Sequence, residues 1–211
     1  MSYSIQLHVK GRRCVILGGG RVAERKALKL AEAGAEVVVI SPDVTAELRS
    51  RHEAGEIVWQ KKRYGKGYLD GASLVFLTAD LREDAETARK EAHAAGALVN
   101  DAVHPEASDF DVPASVVRGD LEFDVSTNGA SPELARQIRM ELETQYPAIF
   151  GEFLTFLQEK RKAVREHILD GVTRQDFWRK AIDAETLRLL HEGNIAQAKE
   201  RVNHAAAAIG I

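Results

Sequence analysis

Cysteine is nearly missing from this chain of 211 residues: Cys14 is the single one. One thiol closes no disulfide within the chain and builds no cysteine-based zinc site, so neither a disulfide scaffold nor a zinc ribbon is possible here. Long apolar runs are absent too. None approaches the roughly 20 residues that cross a bilayer, and the N-terminus lacks the charged and apolar regions of a signal peptide, so a cytoplasmic protein is expected. No large charge imbalance exists either. The formal net charge is −3, which does not favour nucleic acid as a partner, and any cationic site must be local. Internal repeats and low-complexity linkers are also missing. With 45% hydrophobic and 29% charged residues, the chain can bury a real core. Cys14 itself sits in an apolar run, Cys14-Val15-Ile16-Leu17, and reads as a small core residue.

That run ends in Gly18-Gly19-Gly20-Arg21-Val22-Ala23. An apolar strand, a glycine turn and a following helical pattern make this G-x-G-x-x-A a dinucleotide fingerprint. Gly18 allows the tight turn. Gly20 lets the backbone approach a pyrophosphate, and Ala23 permits close helix–strand packing. The start of the helix offers unpaired N–H groups and partial positive charge to phosphates. Gly18, Gly20, Arg21 and Val22 are therefore the first candidate cofactor residues.

The first half alternates strand and helix patterns. Strands are expected at Ile5–Val9, Arg13–Leu17, Glu36–Ile40, Glu56–Gln60, Leu74–Leu77 and Ala97–Val99. Helices are expected at Arg21–Ala33, Val44–Glu53 and Arg82–Ala95, with Gly34 and Gly96 closing two of them. This order predicts a doubly wound parallel sheet of Rossmann type. Beyond about residue 113 the pattern changes. Leu121, Phe123 and Val125 alternate with acids as in a strand with one wet face. Ser131 caps a helix that opens on Pro132 and ends at Tyr146-Pro147. From Ala148 on, everything reads as helical, and Phe150, Phe153, Leu154, Leu157, Val164 and Ile168 form an apolar stripe for core or dimer packing. The expected parts are a Rossmann-like parallel sheet over residues 1–113, a small α+β dimerisation region over 114–147, and a helical C-terminal domain over 148–211.

An NAD-binding domain places an acid at the end of its second strand to hold the ribose. Here Ser41-Pro42-Asp43 occupies that place. Asp43 either takes the ribose or caps the next helix. No arginine follows the strand to form a 2′-phosphate pocket, so NAD is favoured over NADP. Thr78-Ala79-Asp80 follows Leu74–Leu77, at the strand end where such sheets bind ligands. Thr78 is a cofactor or substrate candidate, and Asp80 alternatively caps the following helix.

Several stretches together resemble one family. Lys10-Gly11-Arg12, the Gly18–Lys26 turn, Glu32-Ala33-Gly34-Ala35, Asp109-Phe110 with Val112-Pro113-Ala114, and Ser126-Thr127-Asn128-Gly129-Ala130-Ser131-Pro132 with Leu134-Ala135-Arg136 look like precorrin-2 dehydrogenase, the dehydrogenase/ferrochelatase module of siroheme synthase. The resemblance covers about residues 3 to 147. It implies NAD-dependent oxidation of precorrin-2 to sirohydrochlorin, with Fe²⁺ insertion in some members, and a homodimer. It places Arg21, Val22, Pro42 and Asp43 in the NAD site and a serine or threonine, here Thr127, near the tetrapyrrole. Ser126, Asn128 and Arg136 are the accompanying substrate candidates.

The chain departs from the family at one place. Where members carry an aspartate after the last core strand, this sequence reads Asn100-Asp101-Ala102-Val103-His104-Pro105, with Val103 at the acid's position. Valine neither takes a proton nor binds a metal. Asp101 and His104 are the two nearby groups that can replace it, His104 being nearer and better suited by its intrinsic pKa. The other reading is that both are ordinary surface polar residues. The substrate class carries eight carboxylates and calls for local cations. Arg118, Arg136, Arg139 and the Lys160, Arg161, Lys162, Arg165 group are the sources. No metal-ligand motif is seen, and a chelatase needs no protein metal cage because the macrocycle supplies the ligands.

Overall fold

The computed structural model describes residues 2–78 and 84–210. The chain divides into two compact units, one of Tyr3–Val112 and the other of Pro113–Ile211 with the N-terminal tip.

The first unit is a five-stranded parallel sheet. Its strands are β1 (Arg13–Leu17), β2 (Glu36–Ile40), β3 (Val58–Gln60), β4 (Leu74–Leu77) and β5 (Leu98–Asp101), in the order β3-β2-β1-β4-β5. The connecting helices are α1 (Arg21–Glu32), α2 (Ala46–Glu53) and α3 (Ala85–Ala94). β1 lies at the centre because it is apolar on both faces. Cys14, Val15, Ile16 and Leu17 are all buried, the even members against α1 and the odd members against α3's side. The order reverses between β1 and β4, and the glycine turn leaves β1 at that point. The doubly wound sheet expected from the sequence is thus the observed one. Burial pushes the Cys14 thiol up to about 11 against the pull of Arg12, which makes it an inert core group.

Five elements differ from expectation, the first being β3, which starts at Val58 rather than Glu56. Ile5–Val9 forms no strand: Ile5 and Leu7 are exposed, and Val9 alone is buried. Its alternation would suit a strand, but both edges of β1 are already taken by β2 and β4. Gly11, with φ of +68°, turns the chain directly into β1. β5 runs two residues past Val99, through Asn100 and Asp101, because each polar side chain finds a partner inside the fold. α2 begins at Ala46, and the cap is Thr45, whose hydroxyl accepts from Leu48 N. Finally, β6 (Ala114–Arg118) was not evident in the sequence. Asp80 and the expected start of the third helix at Arg82 lie outside the described residues.

In the second unit β6 pairs antiparallel with β7 (Leu121–Val125) through Gly119 and Asp120. α4 (Pro132–Gln145) packs on this ribbon, with the Ser131 hydroxyl accepting from Leu134 N as its cap. α5 (Ile149–His167), α6 (Gly171–Ala181), α7 (Ala184–His191) and α8 (Ile195–Ala207) follow. Most of the apolar stripe expected around α5 becomes core, with Leu157 and Ile168 partly buried and Leu154 outside the cluster. Phe150, Phe153 and Val164 are buried among Phe177, Leu189, Leu190 and Val202. Gly151 lets α5 touch the ribbon, since a Cβ there would stand 2.5 Å from Arg118 O. Arg118 then spans to Tyr146 O and Glu143 O, satisfying carbonyls at the end of α4.

Candidate dinucleotide site and its neighbouring loop

The turn after β1 brings the first group of candidates together. Gly18 has φ of +116°, which an L side chain rarely adopts, and its N–H donates to Ile40 O. Gly20 sits at the N-cap of α1 with extended φ of −81°. That conformation is open to any residue. No side chain caps this helix. The first intrahelical bond is Glu24 N to Gly20 O, and among the described residues no protein acceptor takes the N–H groups of Arg21, Val22 and Ala23. Three open donors at the positive end of a twelve-residue helix suit a pyrophosphate. Arg21 and Val22 are exposed beside them. The chain's own geometry therefore fits a dinucleotide at this turn.

Gly19 was not singled out in the sequence, yet it is tightly confined. A Cβ there would lie 1.9 Å from Asp43 O and 2.9 Å from Ser41 Oγ. Gly19 O also accepts from Thr45 N. The β1 turn and the Ser41–Thr45 turn are thus one packed object, and the uninterrupted glycine run was its only sequence signal. Because Thr45 takes the cap, the exposed Asp43 carboxylate is free of that task and stands with Pro42 at the end of β2. Thr78 is buried. Its hydroxyl and its N–H both go to Leu17 O, at 2.9 and 3.1 Å, tying the end of β4 to that of β1.

At β5 the structure separates the two replacements for the missing acid. Asp101 is buried and fully engaged. One oxygen accepts from Val103 N and His104 N at 2.8 and 2.9 Å, and the other takes Arg89 of α3 at 3.0 Å. It has no free lone pair directed at solvent and acts as the clamp that shapes the loop. His104 is exposed, with Nδ1 3.6 Å from Glu106 Oε1. Val103 is half-buried between them.

Lys26 is a further residue the sequence reading passed over. Its Nζ donates to Asn100 Oδ1 at 2.7 Å and lies 4.8 Å from the centroid of the Phe76 ring. Burial pushes the ammonium down to about 8, helped by repulsion from Arg25 and Lys29. The spacing from the glycine turn, R-V-A-E-R-K, was the available signal.

In the second unit, Ser126 and Thr127 shape their own loop. Thr127 Oγ1 accepts from Ser131 N and donates to Ser131 O, both at 3.1 Å, and Ser126 Oγ accepts from Asn128 N. Asn128 has φ of +49° and accepts from Ser2 Oγ. Arg136 is paired with Glu133 at 2.7 Å on an exposed helix face, and that bond holds the Glu133 carboxyl down to about 2. Arg139 pairs with Glu143. Arg161, Lys162 and Arg165 line an open surface depression on α5.

A Rossmann-type sheet whose central turn ends in open helix N–H groups defines a nucleotide-binding protein. The family model described as putative NAD(P)-binding matches residues 5–114, and the chain belongs to that family. The remainder narrows the kinship. Residues 125–145 match the model of the sirohaem biosynthesis protein central region, and residues 150–205 match the sirohaem synthase dimerisation region. The siroheme synthase of Chromobacterium violaceum is 34% identical over 99% of this chain and 44% of its own length. That of Methylobacillus flagellatus is 36% identical over 82% of this chain and 37% of its own. The chain thus spans less than half the length of these curated relatives. A solved structure titled SirC, precorrin-2 dehydrogenase, superposes with a TM-score of 0.74 at 25% identity, covering 95% of this chain and 100% of that one. Among the described residues no helix is long and apolar enough to cross a membrane.

Proposed function

We propose that this chain oxidises precorrin-2 to sirohydrochlorin with NAD as acceptor, as a cytoplasmic homodimer. The observation that carries this reading is the uncapped N-terminus of α1, with its three open N–H groups at the glycine turn. It stands in a chain whose fold follows a precorrin-2 dehydrogenase over nearly its whole length. We assign residues 1–113 to cofactor binding, 114–147 to the tetrapyrrole and dimer contacts, and 148–211 to a helical domain. The dimerisation-region match at 150–205 supports extending the dimer contact into those helices.

NAD, when bound, supplies the hydride acceptor. The chain supplies the rest. Arg21, Val22 and Ala23 N–H groups hold the pyrophosphate beside Gly18 and Gly20. Asp43 accepts from a ribose hydroxyl, with Pro42 shaping its turn, and Thr78 fixes the strand end beside the cofactor. His104 takes the proton that dehydrogenation releases, a role worth roughly 10²–10⁴-fold in rate. Asp101 positions its loop rather than acting as the base. Ser126, Thr127, Asn128 and Arg136 are assigned to the substrate, Arg136 as a cation for one of its carboxylates.

The test is the purified chain with precorrin-2 and NAD, read by NADH formation and by the sirohydrochlorin spectrum, with and without Fe²⁺. NADH formation coupled to the new chromophore is expected. Nucleotide binding with no turnover would replace this reading with a sensing module, which is the outcome Val103 at the acid's position would favour. Iron insertion without NADH would make the chain a chelatase alone.

A further inference from the structure

Lys26 is a half-buried cation that has no charged partner among the described residues. It lies on α1, six residues beyond Gly20, and its ammonium reaches across Phe76 of β4 to Asn100 of β5. Phe76 and Asn100 are register partners, each one residue from the end of its strand. Asn100 is itself fixed, because its Nδ2 donates to Phe110 O at 2.9 Å, and Phe110 closes edge-on over Phe76 with centroids 5.5 Å apart. The Lys26 head group is therefore placed by a rigid amide and an aromatic face.

The other charged groups near it, among the described residues, are engaged elsewhere, exposed or of its own sign. Arg25 and Lys29 on α1 add positive charge. Asp101 is taken by Arg89 and two backbone N–H groups. Asp109 is taken by His93 and Val99 N. His104 and Asp111 are exposed on their loops. Among the described residues no carboxylate pairs with Lys26.

The location decides what such a charge acts upon. The sheet order reverses between β1 and β4. A dinucleotide whose pyrophosphate meets α1 lies across that point, its adenosine half toward the end of β2 and its other half toward β4 and β5. The nicotinamide half thus shares its side of the sheet with Lys26. The nicotinamide of NAD⁺ is a cation, and accepting hydride makes it neutral. A fixed positive charge on that side raises the energy of the oxidised ring and leaves the reduced ring untouched.

We propose that the Lys26 ammonium, seated on Asn100 over Phe76, biases the bound cofactor toward NADH and so favours hydride acceptance. This rests on the reading of the chain as an NAD-dependent dehydrogenase. Lys26 is on this account a charge-setting residue of the cofactor site, and its influence disappears when it loses its proton, near pH 8.

The test is equilibrium binding of NAD⁺ and of NADH, each by titration calorimetry on the full chain, from about pH 6.5 to 9.5, with no substrate present. For the wild type, the ratio of the NAD⁺ Kd to the NADH Kd is expected to fall roughly three- to tenfold as pH rises through 8, the range expected of one partly screened charge. Lys26→Met should hold the ratio at the wild type's alkaline value at every pH. Lys26→Arg should hold it at the wild type's neutral value. A wild-type ratio that ignores pH and equals that of Lys26→Met overturns the inference while leaving the NAD reading intact. Failure of the wild type to bind either nucleotide overturns both. If Lys26→Met fails to fold, Lys26→Gln supplies the neutral comparison, and equal ratios for it and the wild type at neutral pH likewise overturn the inference.

Discussion

Gly19→Ala adds a single methyl group at a closely packed point of the nucleotide turn. Its Cβ would stand 1.9 Å from the Asp43 carbonyl oxygen, whereas real Cβ atoms keep beyond 3.0 Å, so the two backbone segments must part by about an ångström. Neither can yield as a flexible side chain would. The obstacle is a carbonyl of the turn that leads into Thr45, and Val44 Cγ1 blocks a second direction at 2.9 Å. Parting them stretches the 3.1 Å bond from Thr45 N to Gly19 O, a loss of about 1 kcal/mol. Overpacking a rigid site adds about 1–3 kcal/mol. Gly19→Ala should therefore cost roughly 2–4 kcal/mol, lowering the urea midpoint by about 1–2 M at a slope near 2 kcal/mol/M. The same displacement moves the Pro42-Asp43 turn relative to the start of α1, so NADH affinity should fall at least about tenfold. Urea unfolding followed by circular dichroism, with NADH fluorescence titration beside it, measures both. An unchanged midpoint together with unchanged NADH affinity would refute the close approach and the joined turns built on it.

Three other outcomes are expected. Asp101→Ala removes the acceptor of two backbone N–H groups and of Arg89, and urea unfolding should show a loss of about 3 kcal/mol, the lower end for a broken buried pair; a loss under half of that would return Asp101 to the list of free groups. His104→Ala should cut NADH formation by roughly 10²–10⁴-fold while leaving NADH affinity within twofold, and near wild-type turnover would remove His104 from the reaction. For Lys26, the folded ammonium is held down to about 8 from an ordinary value of 10.5, so the unfolded chain binds the proton more strongly between those values. The stability this group contributes is present above about pH 10.5 and lost as pH falls through 8; urea midpoints should accordingly shift in favour of wild type over Lys26→Met as pH rises from about 7.5 to 10, and parallel pH curves would contradict the burial of this charge.

Much of the first unit was legible because its signals are local. β1, β2 and β4 read as apolar runs, since a strand covered on both faces needs no alternation. Ser131-Pro132 announced α4 through capping chemistry that lies within three residues. The misreadings arose where a segment's fate depends on distant partners. Ile5–Val9 has a strand's alternation but no free edge of β1 beside it. Asn100 and Asp101 look like loop residues, yet they extend β5 because Lys26 and Arg89 come from two helices to meet them. The same asymmetry holds at the candidate site. Gly18, Gly20, Arg21 and Val22 are neighbours in the chain and were found together. The roles of Gly19, Lys26 and Asp101 depend on contacts 22 or more residues away, or on a residue 12 positions upstream.

What this sequence determined alone was the order of strands and helices and the position of the glycine turn at the end of β1. Those follow from hydrophobic period, glycine chemistry and residue identity, which are properties of short windows. Only the tertiary structure decided which of two polar groups is buried. It committed Asp101 to Arg89 and the loop backbone and left His104 exposed, and it moved the helix cap from Asp43 to Thr45. Burial and hydrogen-bond satisfaction are set by what the fold brings near a group, so the choice between equivalent side chains in one loop is made by residues that no window around that loop contains.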